Sequence, residues 1–378
     1  MINFMPSNVL DYITIRGFKS IASIEKLALK PINVVIGPNG SGKSNFIGVF
    51  YLLHEILAGR LREYVAASAG AEKVLHFGSK TTKEVGLRLY FATDATCYEL
   101  NLAATADDGL FPSSEMVGPA GESFPYPDGS FGHVFDPLQQ GSEAAISNVR
   151  IGSALEAVAK RLNRWRPYHF HDTSSSSHMR KTATVDDNRF LRQDGANLPA
   201  FLYLLREKHQ SSYDLIVQTV QRVAPFFEDF RLDPLLLNPE TIKLEWRHKK
   251  YDQYFDASSL SDGTLRFIAL ATLFLQPEQF RPSLILVDEP ELGLHPYALG
   301  VVASLIRQAS VMTQVIVSTQ SSLLLDHFNP EDVLVADRVN GGTELTRLNS
   351  AQLAKWLEDY SLGQLWEKNE LGGRPTPA

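Results

Sequence analysis

The sequence predicts an α/β fold with a mixed sheet built from both ends of the chain and interrupted by a largely helical insertion. Three observations predict it. The β-branched run Ile32-Asn33-Val34-Val35-Ile36 leads through a glycine-rich turn into Gly42 to Leu57, where Phe46, Val49, Phe50 and Leu53 recur at helical spacing. Far downstream, Leu284-Ile285-Leu286-Val287 is a continuous apolar run, as expected of a strand buried on both faces of a parallel sheet. Thirdly, 44% of the 378 residues are hydrophobic and 21% charged, enough apolar surface for a core and too little charge for a disordered chain. That length exceeds what one core usually serves, so a second lobe or a long insertion is expected.

The elements follow in order. Tyr12-Ile13-Thr14-Ile15 reads as a strand, as do Val85 to Phe91 and Thr96 to Leu102, the last two a hairpin with Asp94 in its turn. From Ala103 to Gly141 the chain is rich in Gly, Pro, Ser and Asp, which predicts irregular structure or a mobile loop. Helices are predicted over Ala144 to Asn163, Leu198 to His209 and Tyr213 to Val223, and the run Ser174 to Ser177 predicts a flexible loop. Ile242 to Trp246 reads as a strand, Leu265 to Leu275 as an apolar helix, and Ala351 to Leu371 as two short amphipathic helices. The longest apolar runs, such as Phe267 to Leu275, fall far short of the roughly 20 residues of a membrane span. Met1 to Asp11 has no secretory pattern, and Cys97 is the lone cysteine, which suits a reducing cytoplasm. The net charge of −7, from 36 Lys+Arg against 43 Asp+Glu, argues against a protein coated with basic charge.

Gly37-Pro38-Asn39-Gly40-Ser41-Gly42-Lys43-Ser44 fits the phosphate-loop pattern G-x-x-x-x-G-K-[ST], between a strand and a helix as that pattern requires. Its glycines let backbone N–H groups converge on phosphate oxygens, Lys43 reaches the β and γ phosphates, and Ser44 can ligate Mg²⁺. The run Leu284 to Val287 ends in Asp288-Glu289. Paired acids at the end of a buried strand suit a metal or catalytic role: Asp288 for the Mg²⁺ shell, Glu289 for the attacking water. Upstream, Leu260-Ser261-Asp262-Gly263-Thr264 places Ser261 to cap a helix, a second anion-binding N-terminus best suited to phosphate held by another subunit. Lys43 and Asp288 stand 245 residues apart yet must serve one nucleotide, so much of the intervening chain is an excursion. The predicted division is therefore 1–102 and 256–378 for the two parts of the ATPase core, with 103–255 as the insertion.

In this order the three motifs resemble an ABC-type ATPase, a P-loop NTPase. Glu289-Pro290-Glu291-Leu292-Gly293-Leu294-His295-Pro296 is similar to the E-P-E-x-x-L-H-P segment of the SMC/RecF/OLD-like branch, and Ile15-Arg16-Gly17-Phe18-Lys19-Ser20 resembles its strand start. The whole chain looks like a stand-alone bacterial predicted ATPase of the AAA_21 type. The resemblance implies ATP and Mg²⁺ as cofactors, a head-to-tail homodimer closing on ATP, and Ser261 and Gly263 acting on the partner's nucleotide. It also adds Asn45 and Lys19 to the nucleotide-binding set. Two departures suggest slow turnover. Gln320 follows Val315-Ile316-Val317-Ser318-Thr319 where such ATPases usually carry a histidine, and an amide can donate a hydrogen bond but carries no charge. No glutamine of the Q-loop kind is identifiable, and His76 lies near where it would fall.

The stretch Ala159 to Arg192 holds eight basic residues against Asp172, Asp186 and Asp187, a net +5, with Trp165, Tyr168 and Phe170 interleaved. It reads either as a DNA or RNA surface or as a solvated face with ordinary ion pairs. His169, His171 and His178 match no standard metal spacing and read as a polar loop. The function expected is a dimeric ATP-driven switch in DNA maintenance or anti-phage defence. The rival is an ATP-gated scaffold regulating a partner protein such as a nuclease or toxin, without nucleic acid.

Overall fold

A computed structural model describes residues 9–119, 133–135, 143–149, 151 and 153–372. The chain forms two compact units, Met1–Trp165 with Asn329–Ala378, and Arg166–Phe328. The first unit thus draws on both ends of the sequence.

An antiparallel sheet dominates the first unit, with strands in the order Ile21–Ala28, Tyr12–Phe18, Glu84–Phe91, Thr96–Ala104, Leu110–Pro119 and His133–Phe135. The strand Leu110–Pro119 corrects the expectation of irregular structure after Ala103. Its inward alternation is hidden in the sequence because a glutamate occupies a core position. Glu115 is buried, and its carboxylate accepts from Tyr98 Oη (2.9 Å) and from the N–H groups of Ala145 and Ile146. Those last two bonds anchor a 3₁₀ turn, Ala145–Asn148, so the helix expected from Ala144 begins only at Ala154 and runs to Leu162. Residues 120–132 and 136–141 of the expected irregular segment lie outside the described residues. In the same unit the fully buried strand Ile32–Ile36 pairs in parallel with Val333–Val339, which pairs antiparallel with Gly342–Arg347. The strand Ile32–Ile36 feeds the helix Lys43–Leu57 through the glycine-rich turn.

In the second unit, Leu284–Asp288 runs parallel to Gln314–Thr319, with Asp288 opposite Ser318, and the runs Leu284 to Val287 and Val315 to Val317 are apolar and buried. Helices Leu198–Lys208, Gln210–Val223, Asp262–Leu275 and Pro296–Ala309 supply most of the remaining core. The strand expected over Ile242 to Trp246 is two pieces with different partners: Thr241–Ile242 pairs with Ala183–Thr184, while Glu245–His248 joins Phe227–Arg231 and Tyr254–Asp256. The serine run expected to be flexible is tied down. Ser174 Oγ donates to Asp172 Oδ1 (2.6 Å), and buried Ser177 donates to the Asp172 carbonyl (2.6 Å) and caps the turn His178–Arg180. Short hydroxyls bonding their own backbone give an ordered turn from a low-complexity sequence. The tail carries Ser350–Leu353 and Leu362–Lys368. No helix among the described residues is long and apolar enough to cross a membrane.

Candidate functional site

In the first unit, the helix Lys43–Leu57 begins at Gly42, whose φ of 101° is left-handed and whose position admits no side chain: a Cβ there would lie 1.9 Å from Thr343 Oγ1. This helix has no side-chain cap and no acidic residue in its first turn. The positive end of its dipole therefore faces the loop with no capping side chain and no acid of its own first turn to offset it. Lys43 is buried, and its ammonium donates to the loop's own carbonyls, Gly37 O (2.7 Å) and Pro38 O (3.0 Å). Ser41 Oγ is buried without a hydrogen-bond partner. In the same loop Pro38 is half-buried, while Asn39, Gly40 and Ser44 are exposed.

Sequence reasoning missed what braces this loop. Thr343 Oγ1 donates to Ser41 O (2.8 Å) and shares a hydrogen bond with Ser20 Oγ (2.7 Å), which accepts from Asn45 Nδ2 (2.6 Å). Lys19 and Asn45, both expected to bind nucleotide, line an open cavity of about 580 Å³ with Glu72, Lys73, Leu75, Phe77 and Gly78. The Lys19 ammonium sits 5.4 Å from the Phe18 ring centre and 5.9 Å from that of Tyr64, and burial holds its pKa below the usual lysine range. His76 is a buried tether in this unit, its Nδ1 meeting Lys19 O at 2.8 Å, which gives the residue a structural reason to be there.

In the second unit the acids stand at the carboxyl end of their strand. Asp288 Oδ1 accepts from Ser318 Oγ. Glu289 has a φ of 42°, a left-handed conformation that costs a non-glycine residue about 1–2 kcal/mol. Its N–H bonds Ser318 O (2.9 Å), and its Oε1 accepts from the side-chain amide of Gln320. The Gln320 amide thus turns toward the carboxylate expected to activate water. Glu291 is largely buried, with Oε1 accepting from Thr319 Oγ1 (2.7 Å) and Gln320 N–H (2.9 Å). Burial raises its pKa above the usual glutamate range, and the two donors oppose that shift.

Ser261 caps the helix Asp262–Leu275 as predicted, its Oγ accepting from Thr264 N–H (3.2 Å). Gly263 has a steric reason to be glycine, because a Cβ would lie 2.1 Å from Gly293 O in the turn after the acids. His295 and Pro296 of the L-H-P segment start a helix: His295 Nδ1 accepts from Tyr297 N–H, and Pro296 occupies the first turn. Two arginines hold this half together. Arg266 Nε donates to Phe170 O (2.8 Å), and its Nη groups to His171 O (3.0 Å) and Leu292 O. Arg180 donates to Thr173 O (2.8 Å), Leu260 O (3.1 Å) and Asp262 Oδ1 (2.8 Å), clamping the entry to the Ser261 helix.

Arg180 was counted above in the basic stretch, and it is one of several spent internally. Lys160 pairs with Glu156 (2.6 Å), Arg161 with Asp94 and Arg192 with Asp187 (2.8 Å), while Arg166 lies over the Phe190 ring. Of the histidines, His171 Nε2 meets Asp288 O at 2.9 Å and His178 pairs with Asp194. No group of three or more metal-binding side chains occurs among the described residues.

Comparison with known proteins agrees with this architecture. The structure is similar to an SMC head bound to the C-terminal winged-helix domain of ScpA (TM-score 0.59, 14% identity, covering 91% of this chain and 99% of that one). It is similar also to an SMC head with an extended coiled coil bound to the C-terminal domain of ScpA, from Pyrococcus furiosus (TM-score 0.58, 15% identity, 93% and 98% covered). A third head, from Pyrococcus yayanosii, gives a TM-score of 0.53 at 12% identity over 93% of this chain and 99% of that one. At these identities the likeness establishes the fold, that of a P-loop NTPase head. In sequence, 105 residues are 37% identical to the chromosome partition protein Smc of Desulfitobacterium hafniense (strain Y51), a match covering 27% of this chain and only 8% of that protein. Residues 32–326 match the model of the family described as "AAA domain, putative AbiEii toxin, Type IV TA system", and the chain belongs to that AAA_21 family.

Proposed function

We propose that this protein binds ATP with Mg²⁺, hydrolyses it slowly, and uses the cycle as a switch that closes two copies of the chain head to tail. One observation carries the nucleotide reading: a 15-residue helix opens on Gly42 with its N–H groups uncapped by any side chain, beside a buried lysine and a buried, unpartnered Ser41 hydroxyl. Those features fit a polyphosphate. Gly37 to Ser44 would hold the phosphates, Ser44 and Asp288 the metal, and Lys19 and Asn45 the rest of the nucleotide. Bound Mg²⁺ would supply charge neutralisation at the phosphates. Lys43 exchanges its loop carbonyls for phosphate oxygens, so the ammonium stays hydrogen-bonded in both states. Glu289 would orient and deprotonate water, with the Gln320 amide holding its carboxylate. Ser261 and Gly263 would meet the nucleotide of the other copy. Titration calorimetry with ATP and Mg²⁺, alongside phosphate release, tests this reading: no binding at millimolar nucleotide rejects it.

The use of the switch in DNA maintenance or anti-phage defence rests on analogy alone. A cycle that grips and releases a partner protein gains support from the ion pairs of residues 159–192, which engage four of the eight basic side chains that a nucleic acid would need. Filter binding to DNA and RNA with ATP, across salt concentrations, separates the two. Retention that falls steeply with salt supports nucleic acid, and none at low salt supports the protein partner.

A further inference from the structure

Glu291 takes no part in the roles assigned so far, yet its surroundings are costly to maintain. A carboxylate is expensive to bury, and here one of its oxygens, Oε2, is buried without a hydrogen-bond partner. The other oxygen collects two donors from the end of the neighbouring strand, the Thr319 hydroxyl and the Gln320 N–H. Thr319 Oγ1 in turn accepts from Ser321 N–H (3.0 Å), so one carboxylate oxygen fixes the chain on both sides of Gln320. From that fixed backbone the Gln320 side chain reaches Glu289 Oε1. Glu289 is itself held in a left-handed conformation, two residues from Glu291. Thr319 and Gln320 are the donors from the neighbouring strand end to the Glu291 side chain.

We infer that Glu291 is a positioning residue, pinning the backbone at Gln320 so that the Gln320 amide orients the Glu289 carboxylate. The inference rests on the proposed hydrolytic role of Glu289. Glu291 touches neither phosphate nor water in this account; it acts through Gln320. Its removal therefore lowers turnover while leaving substrate binding alone, and does so only while the Gln320 amide is present.

Steady-state ATPase kinetics of wild type, Glu291→Leu, Glu291→Gln, Gln320→Ala and the Glu291→Leu/Gln320→Ala double variant test this. Glu291→Leu is expected to lower kcat by roughly 10- to 100-fold, as for loss of a hydrogen bond to a charged group, with KM little changed. Glu291→Gln keeps an oxygen acceptor for both donors and is expected to recover most of that loss. The double variant is expected to be no slower than Gln320→Ala. Multiplying effects in the double variant, a wild-type rate for Glu291→Leu, or a Glu291→Gln as slow as Glu291→Leu would each overturn the inference. Hydrogen exchange of peptides spanning 318–322, read on the same proteins, keeps two failures apart. If the wild type hydrolyses no ATP, the ATPase reading fails. The pinning is then judged by exchange alone: faster exchange at the Gln320 amide in Glu291→Leu, restored protection in Glu291→Gln, or, against it, no change in either. Should Glu291→Leu fail to fold, Glu291→Gln against Thr319→Val, which removes one of the two donors, provides the same comparison.

Discussion

At the phosphate loop the constraint is steric and comes from outside: Gly42 occupies a conformation and a space open only to glycine, and the loop's backbone is braced by Thr343 and Ser20. At the acidic turn the constraint lies within the acid itself, because Glu289 is a non-glycine residue held at a φ of 42° by its neighbours' hydrogen bonds. The first arrangement braces the loop's backbone through groups of the protein itself. The second stores strain where proton transfer would occur, and strain persists only where surrounding contacts over-determine it. Binding and turnover should therefore respond separately to substitution in the two regions.

Substitutions at four positions probe that separation. Lys43→Ala removes the cation common to every nucleotide-bound state and is expected to weaken ATP binding by about 100-fold or more, read by calorimetry. Ser261→Arg places a bulky cation at the exposed cap of the helix Asp262–Leu275. It is expected to leave ATP binding within about twofold while abolishing phosphate release, since it blocks closure rather than loading. Mixing it with Lys43→Ala should restore part of the activity, because in the proposed heterodimer one complete composite site would survive. Recovery at no mixing ratio counts against a site shared between chains.

Gln320→Ala is expected to slow turnover by about 10- to 150-fold, for loss of about 1.5–3 kcal/mol of hydrogen bonding to a charged group. ADP affinity should hold. Gln320→His should bring a new ionisation near pH 6.5, the ordinary imidazole range. The smallest effect belongs to Thr343→Val, which deletes the hydroxyl joining Ser41 O to Ser20. It should cost about 1–2 kcal/mol of stability by chemical denaturation, with kcat little changed. A kcat loss larger than that for Gln320→Ala would erase the distinction between the regions.

The two regions were not equally legible in the sequence. Gly37 to Ser44, Asp288 and Glu289 were readable because their chemistry is packed into consecutive residues beside a strand and a helix. Ser261 was readable for the same reason, since a cap and its helix are local. Thr343 was not, because its partner Ser20 is 323 residues away. Arg180 was counted toward a basic surface when its partners are Asp262 and the Leu260 carbonyl, and nothing in its neighbourhood marks it as buried. The strand Leu110–Pro119 was missed because a glutamate faces the core, satisfied by Tyr98 and two backbone amides that a sequence cannot bring together. Glu291 could be read as part of a motif but not as the residue holding Gln320, which requires the fold.

Glu289→Gln tests the central claim most directly, that loop and acidic turn divide binding from hydrolysis in an ATP-closed dimer. The substitution keeps the side chain's length and an oxygen acceptor for Gln320 while removing the base. Light scattering with ATP and Mg²⁺, paired with nucleotide-binding and phosphate-release measurements, is predicted to show wild-type affinity, no phosphate release and a doubling of particle mass. A particle that stays monomeric with nucleotide demonstrably bound, or phosphate released at the wild-type rate, would contradict it.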